Sequence, residues 1–467
     1  TFLDFFKTAH PNSDVPPPVC HQVPILPLRQ TLGQRCASHS THYDASPDHF
    51  LVLDTRYLGQ EFDKILPFVH KCIEEGANLF IHSPLGTSKT GLIQQLITHP
   101  SLSTDDTRIL AFVMRQSLAR SLAERLDLEL YLDEEHRNQI HNLFRLIISQ
   151  ESSHKIERNG SWQMPHIAVW DEIRSNVGNV TSTTLEGKRS SYLQKMEAIM
   201  SDPRCLSILM DANIDDDLLR VLQTFSRNKP IYHIINLYLL DTPIYISPNL
   251  MTVWNFVKRD VEEFEDHWDE VRDQEERVCK KQIVLTFSSL KHLNCFRTHI
   301  FKKFEFVKEE DVLVITSESN DKDRRTTGNP ERDWAKYFFI MYTSSVLCGV
   351  NYDRQDLDVR VYVIATNSMS VTDGIQMAFR ARNPKKIIFF APPVDPNKAP
   401  LPSAYKDIIT GYHSLKNFIL PTIAELIVTR TLRSDTDRTM KIMVDEEAPE
   451  TQIAIMKIRD RNLSCNN

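Results

Sequence analysis

From about residue 51 onward, short apolar runs recur along the chain, each bounded by polar turn residues. NLFIH (78–82), ILAFVM (109–114), HIAVW (166–170) and LSILM (206–210) are of this kind, and helical stretches such as SLARSLAERL (117–126) separate them. Strands that are apolar throughout and alternate with helices indicate a parallel sheet covered on both faces. A charged stretch, VKRDVEEFEDHWDEVRDQEERVCKKQ (257–282), interrupts the alternation and reads as a solvated helix leading into a second domain. The strand pattern resumes at IVLTF (283–287), DVLVIT (311–316), YFFIMYT (337–343), VRVYVIA (359–365) and KIIFFA (386–391). SESNDKDRRTTGNPERD (317–333) reads as a polar surface loop. Residues 1–50, rich in Pro, His and Ser, show neither periodicity and are expected to form an extended arm on the globular body or to be disordered. The tail beyond residue 430 is weakly patterned.

At 467 residues the chain exceeds what one hydrophobic core usually serves, so at least two domains are expected. With 41% hydrophobic and 25% charged residues it has the balance of a soluble globular protein. No apolar run approaches the roughly 20 residues that span a membrane. The chain opens at Thr1 without a signal-peptide pattern, and is expected to be a processed product or a piece of a longer polypeptide. The eight cysteines (Cys20, Cys36, Cys72, Cys205, Cys279, Cys295, Cys348, Cys465) form no C-x-x-C pair. That argues against a zinc ribbon and a disulfide framework, and suits a reducing compartment. Net charge is −7, whereas a protein that coats duplex DNA is normally basic. Any contact with nucleic acid should therefore be a local groove.

Candidate chemistry begins at SPLGTSKT (83–90), which follows the apolar strand NLFIH and precedes GLIQQLI, a helical segment. Strand, small-residue loop, Lys-Thr and helix is the context of a phosphate-binding loop. Backbone N–H groups and the helix start meet phosphate oxygens there. Ser83, Gly86, Thr87, Ser88, Lys89 and Thr90 would line the nucleotide, with Lys89 on the terminal phosphates and the Thr90 hydroxyl on magnesium. Ser83 and Ser88 replace both glycines of the G-x-x-x-x-G-K-[ST] consensus. If the backbone at Ser88 needs positive φ, a non-glycine residue costs about 1–2 kcal/mol, on the order of tenfold in affinity. Taken by itself the segment reads first as a serine-rich helix cap.

Further segments bear on that choice. WDEI (170–173) puts an Asp-Glu pair at a strand's C-terminal end, where Asp171 suits water-mediated magnesium binding and Glu172 can orient or deprotonate an attacking water. LSILMDANIDDDLL (206–219) carries Asp211 and Ala212 at the next strand end. In DGIQMAFRARNP (373–384), Gln376, Arg380 and Arg382 resemble the Q-x-x-x-R-x-R skeleton of motif VI in superfamily 2 helicases. A guanidinium there stabilises charge that develops during phosphoryl transfer.

The resemblance narrows to the herpesvirus-type replication-origin-binding proteins. SPLGTSKT looks like their A-P-M-G-T-G-K-T loop, and RILAFVMRQSLARSLAERL (108–126) like their motif Ia. RLIISQESSHKI (145–156) resembles Q-x-x-S-L-H with Ser153 in place of Leu, and IAVWDEIRSNV (167–177) resembles V-x-D-E-x-x-S. LMDANIDDDLL resembles M-D-A-D-L, YTSSVLCGVNYD (342–353) resembles Y-T-x-x-x-x-x-G-x-S-F-D, and IQMAFRAR resembles x-Q-M-x-G-R-x-R. The likeness covers roughly 78–392 and departs at Ser88 and Phe379, both glycine in the family pattern.

The resemblance implies an α/β fold of two tandem RecA-like domains, 51–245 and 280–430, joined by a linker (246–279), with an irregular arm (1–50) and a tail (431–467). It implies ATP and Mg2+ as cofactors, with ATP between the domains. Single-stranded or forked DNA would touch Arg115, Ser117, Ser153 and Thr343. A primase or other replication proteins are the implied partners, without a membrane, in the nucleus or a viral replication compartment. Three functions stay open: an ATP-dependent DNA helicase of a viral or virus-derived element, a catalytically impaired pseudo-helicase within a larger complex, and an RNA-directed or packaging ATPase.

Overall fold

The computed structural model of the chain describes residues 21–22, 47–392, 407–409, 423, 426–427, 429–433 and 440–466. Within 47–392 the exceptions are 115, 134, 136–138, 213, 228, 239–241, 275–276, 321–322, 324–325, 328, 347–349 and 366–370. Two compact units are present. The phosphate-loop unit takes in Leu26–Leu239 and Leu401–Leu463, and the arginine unit takes in Thr1–Ile25, Leu240–Pro400 and Ser464–Asn467.

The strands, in chain order, open with β1 (His21–Gln22), β2 (Phe50–Leu53), β3 (Asn78–His82), β4 (Ile109–Val113), β5 (Glu129–Leu130) and β6 (Arg145–Ser149). They continue with β7 (Ile167–Trp170), β8 (Leu206–Asp211), β9 (Ile231–Asn236), β10 (Ile244–Ser247), β11 (Lys281–Phe287) and β12 (Val312–Ile315). β13 (Phe339–Thr343), β14 (Asp358–Ile364) and β15 (Lys386–Phe390) complete the two large sheets. β2 to β9 form the eight-stranded sheet of the phosphate-loop unit, in the order β2-β9-β3-β8-β7-β4-β6-β5, with every pairing parallel. The arginine unit holds a seven-stranded sheet in the order β1-β10-β15-β14-β11-β13-β12. It is parallel except for β1, which pairs antiparallel to β10. The central strands are apolar because helices cover both faces: every residue of β4, β7 and β8 is buried.

The helices used below are α1 (Phe62–Glu74), α2 (Lys89–Thr98), α3 (Gln116–Leu126), α4 (Ile173–Asn179), α5 (Arg189–Ser201), α6 (Asp216–Ser226), α7 (Leu250–Val271), α8 (Leu290–Lys303), α9 (Val371–Ala378) and α10 (Pro449–Asn466). Where a solvated helix and linker were expected, β10 and α7 belong to the arginine unit. α7 is half core: Leu250, Val253, Trp254, Val257, Val261, Phe264 and Trp268 are buried in one cluster with β11 and α8. Their i, i+3, i+4 spacing is the stripe of a core-facing helix, embedded among exposed charges. Asn249 caps it, its side chain accepting from the amides of Met251 (2.8 Å) and Thr252 (3.3 Å).

The arm expected at 1–50 lies outside the described residues apart from β1 and 47–50. The weakly patterned tail contains a hairpin, β16 (Thr429–Arg433) with β17 (Met440–Val444), followed by α10. One side of α10 packs with Ile408, Ile423, Leu426 and Ile427 in a small core. Its polar side meets the phosphate-loop unit, where Arg459 pairs with Asp217 and Asp460 with Arg174. An element buried on several sides shows no single apolar stripe, which is why the pattern along the chain conceals it.

Candidate functional site

In an open parallel sheet, ligands bind beyond the carboxyl ends of the strands. At that edge of the phosphate-loop unit, β3, β8 and β7 are neighbours and deliver SPLGTSKT, Asp211 and Asp171–Glu172 side by side. The amide of Ser83 donates to the carbonyl of Asp211 at 3.1 Å, tying the loop's first residue to β8.

The loop is held by a relay of small polar groups. Asn236, at the end of β9, donates from Nδ2 to the Ser83 hydroxyl (3.0 Å) and to the Thr55 carbonyl (2.8 Å). Its Oδ1 accepts from the amides of Thr55 (3.1 Å) and Tyr238 (3.2 Å), so this buried amide is fully used. The Ser83 and Thr87 hydroxyls are 2.6 Å apart, and Thr87 donates onward to the Pro84 carbonyl at 2.8 Å. Lys89 opens α2, and its ammonium donates to the carbonyls of Ser83 (2.8 Å) and Pro84 (3.0 Å). Phosphate oxygens are the stronger acceptors for a cation and can displace such contacts.

Gly86 (φ +80°) and Ser88 (φ 57°, ψ 42°) both take left-handed backbone. Glycine enters that region freely, whereas a serine there costs about 1–2 kcal/mol. A second glycine makes room for the Ser88 side chain. A Cβ at Gly91 would lie 2.5 Å from the Ser88 hydroxyl, closer than non-bonded atoms come.

The acidic pair is held as firmly. Asp171 accepts the Glu172 amide on Oδ1 at 3.0 Å, and Glu172 sits at φ 53°, left-handed for a residue with a long side chain. Asn176 donates to the Asp171 carbonyl (2.6 Å) and the Glu172 carbonyl (3.3 Å). Gln150 in turn donates to the Asn176 carbonyl (2.7 Å) and the Tyr192 hydroxyl (3.0 Å). The Arg174 amide donates to Asp211 Oδ2 at 2.8 Å, linking α4 to β8. Burial pushes the Asp171 carboxyl up to about 6, the Glu172 and Asp211 carboxylates adding to it and Lys89 and Arg125 opposing it.

Among the described residues no group of three or more His, Cys, Asp or Glu could hold a metal ion as a protein cage. Magnesium rarely uses one: it takes one or two carboxylates and fills the remaining positions with substrate phosphates and water. The buried Asp171 carboxylate, close enough to Lys89 to feel its charge, is a single carboxylate of that kind, and Thr90 stands in the first turn of α2.

In the arginine unit, α9 leads into Gln376–Arg382. Arg380 is buried and donates to the Val350 carbonyl at 3.3 Å, and Arg382 donates from Nε to the Asn351 side chain. The amides of Tyr352 and Arg382 bond to the carbonyls of Arg380 and Tyr352, both at 2.9 Å, so the segments 350–352 and 380–382 form one pair. Among the described residues the buried Gln376 has no partner on Oε1, and the Phe379 side chain is buried.

Only two of the four side chains expected to touch nucleic acid fall within the described residues. Arg115 and the side chain of Ser117 lie outside the described residues. Ser153 is 1% exposed and Thr343 9%, so in this conformation neither side chain offers appreciable surface to a bound strand. Reading the chain alone misses Asn236 and the Gln150–Asn176 support. The available signal was a polar residue closing an apolar strand, IYHIIN and RLIISQ, the same signal that marks Asp171 and Asp211.

Two α/β units with parallel sheets, one carrying a Lys-Thr loop and an Asp-Glu pair and the other a Gln-Arg-Arg segment, define a tandem RecA-like protein of helicase type. Residues 68–368, more than half of the chain, match the model of the origin of replication binding protein family, in its herpesvirus form. The chain belongs to that family. Two isolates of African swine fever virus carry relatives described as "Putative helicase/primase complex protein", each 26% identical over 181 residues, 38% of this chain. The matched stretch spans only 15% and 16% of those relatives. Among solved structures, the DUF1998 helicase MrfA bound to DNA is 14% identical, with a TM-score of 0.48 over 74% of this chain and 47% of its own. S. cerevisiae Dbp5 bound to RNA and ADP BeF3 is 12% identical, with a TM-score of 0.44 over 67% and 78%. Among the described residues no helix is long and apolar enough to cross a membrane.

Proposed function

We propose that the protein is an ATP-dependent DNA helicase or translocase acting in the replication of a viral or virus-derived element. The observation that carries this reading is the meeting of Lys89, Asp171 and Asp211 at three adjacent strand ends, with the Asp171 carboxyl raised by burial and by the Glu172 and Asp211 carboxylates. Lys89 and the start of α2 hold the nucleotide's phosphates together with the backbone of Gly86, Thr87 and Ser88. Asp171 and Thr90 hold Mg2+, which would supply charge neutralisation at the phosphates. Glu172 orients the attacking water, and Gln376, Arg380 and Arg382 of the arginine unit are the groups suited to stabilising charge that develops during phosphoryl transfer. Family membership supports single-stranded or forked DNA as the substrate and an intracellular replication compartment as the setting. The swine-fever relatives' description supports a primase as partner.

Steady-state ATP hydrolysis with and without single-stranded DNA tests the reading. DNA-stimulated turnover that is abolished by Lys89→Ala and Glu172→Gln is expected. Arg382→Ala is expected to lower turnover by about 10³-fold with little effect on nucleotide affinity. An unchanged turnover in Arg382→Ala removes that residue from the reaction.

A second reading is favoured by the left-handed Ser88 and by Phe379 in place of the family glycine. On it, the chain is a pseudo-helicase that binds nucleic acid within a larger complex. Folded, DNA-binding protein that fails to hydrolyse ATP both as wild type and as Ser88→Gly establishes this reading in place of the first.

A further inference from the structure

Glu172 of the acidic pair is strained, and something must hold it. A left-handed, long-chain residue such as Glu172 persists only where its surroundings over-determine it. Asn176 supplies one constraint from within α4. The other runs through Arg174, two residues beyond Glu172. Its amide is held by Asp211, and its mostly buried guanidinium forks between two carboxylates, Asp215 Oδ2 and Asp460 Oδ1, each at 2.7 Å. Asp215 is itself fixed as the cap of α6, accepting the Leu218 amide at 3.0 Å. Asp460 lies on α10, 286 residues further along the chain.

α10 is seated on this spot by more than one contact. Arg459 pairs with Asp217 in the first turn of α6. The Lys457 ammonium crosses Gly178 of α4 so closely that a Cβ there would lie 3.1 Å from it. Residues 457, 459 and 460 thus all bear on α4 and α6, the helices that follow the Asp-Glu pair and Asp211.

We propose that α10 positions the acidic pair of the phosphate site, with Arg174 as the positioning residue through which it acts. Arg174 reaches no phosphate in this role. It fixes the start of α4 against β8, and so holds the peptide in which Glu172 is strained. The idea rests on the assignment of Glu172 to the attacking water, and it adds the element that keeps Glu172 in place.

The test compares Asp460→Asn with Arg459→Gln in the full chain. Hydrogen exchange of the nucleotide-free protein is expected to quicken about tenfold or more at 173–177 in Asp460→Asn, without a matching change across the rest of the unit. Turnover should fall about tenfold while KM for ATP stays within about threefold, because the contact matters to the water and not to ATP binding. Asp460→Glu should restore both readings. Arg459→Gln, which loosens the seat of α10 but leaves both Arg174 pairs in place, should lose clearly less than Asp460→Asn in both readings.

Unchanged exchange at 173–177 in Asp460→Asn overturns the proposal. So does faster exchange with unaltered turnover, which would leave α10 a packing element only. Equal losses in Arg459→Gln would overturn Arg174 as the route. Since exchange is read without nucleotide, a wild type lacking turnover sinks the ATPase reading while the exchange result still decides this one.

Discussion

Ser88 shows how a single departure from a motif can be absorbed by its neighbour. The loop needs left-handed backbone at position 88, and serine meets that need at a cost of about 1–2 kcal/mol. Its hydroxyl then occupies space that a side chain at 91 would claim, and residue 91 is glycine. The two positions should therefore be coupled. Gly91→Ala is expected to destabilise the wild type by about 1–3 kcal/mol through overpacking. In a Ser88→Gly background the same change should be neutral or stabilising, since alanine is the better helix former by about 1 kcal/mol. Equilibrium unfolding of the four chains checks this, and a coupling below about 0.5 kcal/mol would refute it. Asp171 makes a second prediction at this scale. Its folded pKa, raised to about 6, lies above the ordinary carboxylate value. The folded chain thus keeps a proton that the unfolded chain releases. The stabilisation from that proton is complete below about pH 4 and lost as pH rises through about 6. Magnesium requires the ionised form, so the magnesium concentration for half-maximal nucleotide binding should rise about tenfold per pH unit below pH 6. Titration at pH 5, 6 and 7 measures it, and a flat profile would separate Asp171 from the metal.

At the scale of elements, the pattern along the chain takes α7 for a solvated helix and conceals α10, for different reasons. α7 carries its apolar stripe inside a run of charges, and one of those charges is itself in the core. Asp260 is fully buried, bonded to Arg360 (2.7 Å), Lys386 (2.8 Å) and the Tyr362 hydroxyl. It ties α7 to β14 and β15. Removing one partner from a buried ionic network strands the rest, at about 3–5 kcal/mol. Asp260→Ala should lower the stability of the arginine unit by that amount, and denaturant unfolding followed by tryptophan fluorescence can report it through Trp254 and Trp268 on the same helix. A loss under about 1 kcal/mol would show that the network is solvated and the helix held by its apolar stripe alone. α10 is recognised through its partners: Arg174 and Asp217 lie more than 200 residues away in sequence.

Over the whole molecule, the acidic balance limits how nucleic acid can be held. A chain of net charge −7 has no global attraction for a polyanion, so binding must come from a local set of donors to the backbone. Affinity for single-stranded DNA should fall steeply between 50 and 200 mM salt and vary little with base sequence, as expected for contacts with phosphate and stacked bases. Fluorescence anisotropy with oligonucleotides of differing sequence checks both. Tight binding indifferent to salt, or a strong preference for one duplex sequence, would require base-edge contacts of another kind.

The alternation of apolar strands and helices determined by itself that the chain builds two parallel sheets, because a strand buried on both faces cannot read otherwise. It also drew attention to the phosphate loop and the Asp-Glu pair, since each directly follows an apolar strand, whereas the paired arginines were found through the family resemblance. Strand order, by contrast, is a long-range property. Only the folded sheet puts β3, β8 and β7 side by side, and with them Lys89, Asp211 and Asp171, where burial first and the neighbouring charges second set the proton affinity of Asp171. The supports of that site were equally out of reach: Asn236 is 153 residues from the serine it holds, and Asp460 is 286 from Arg174. Periodicity reports which face of an element is buried; which groups meet there is decided when the chain closes on itself.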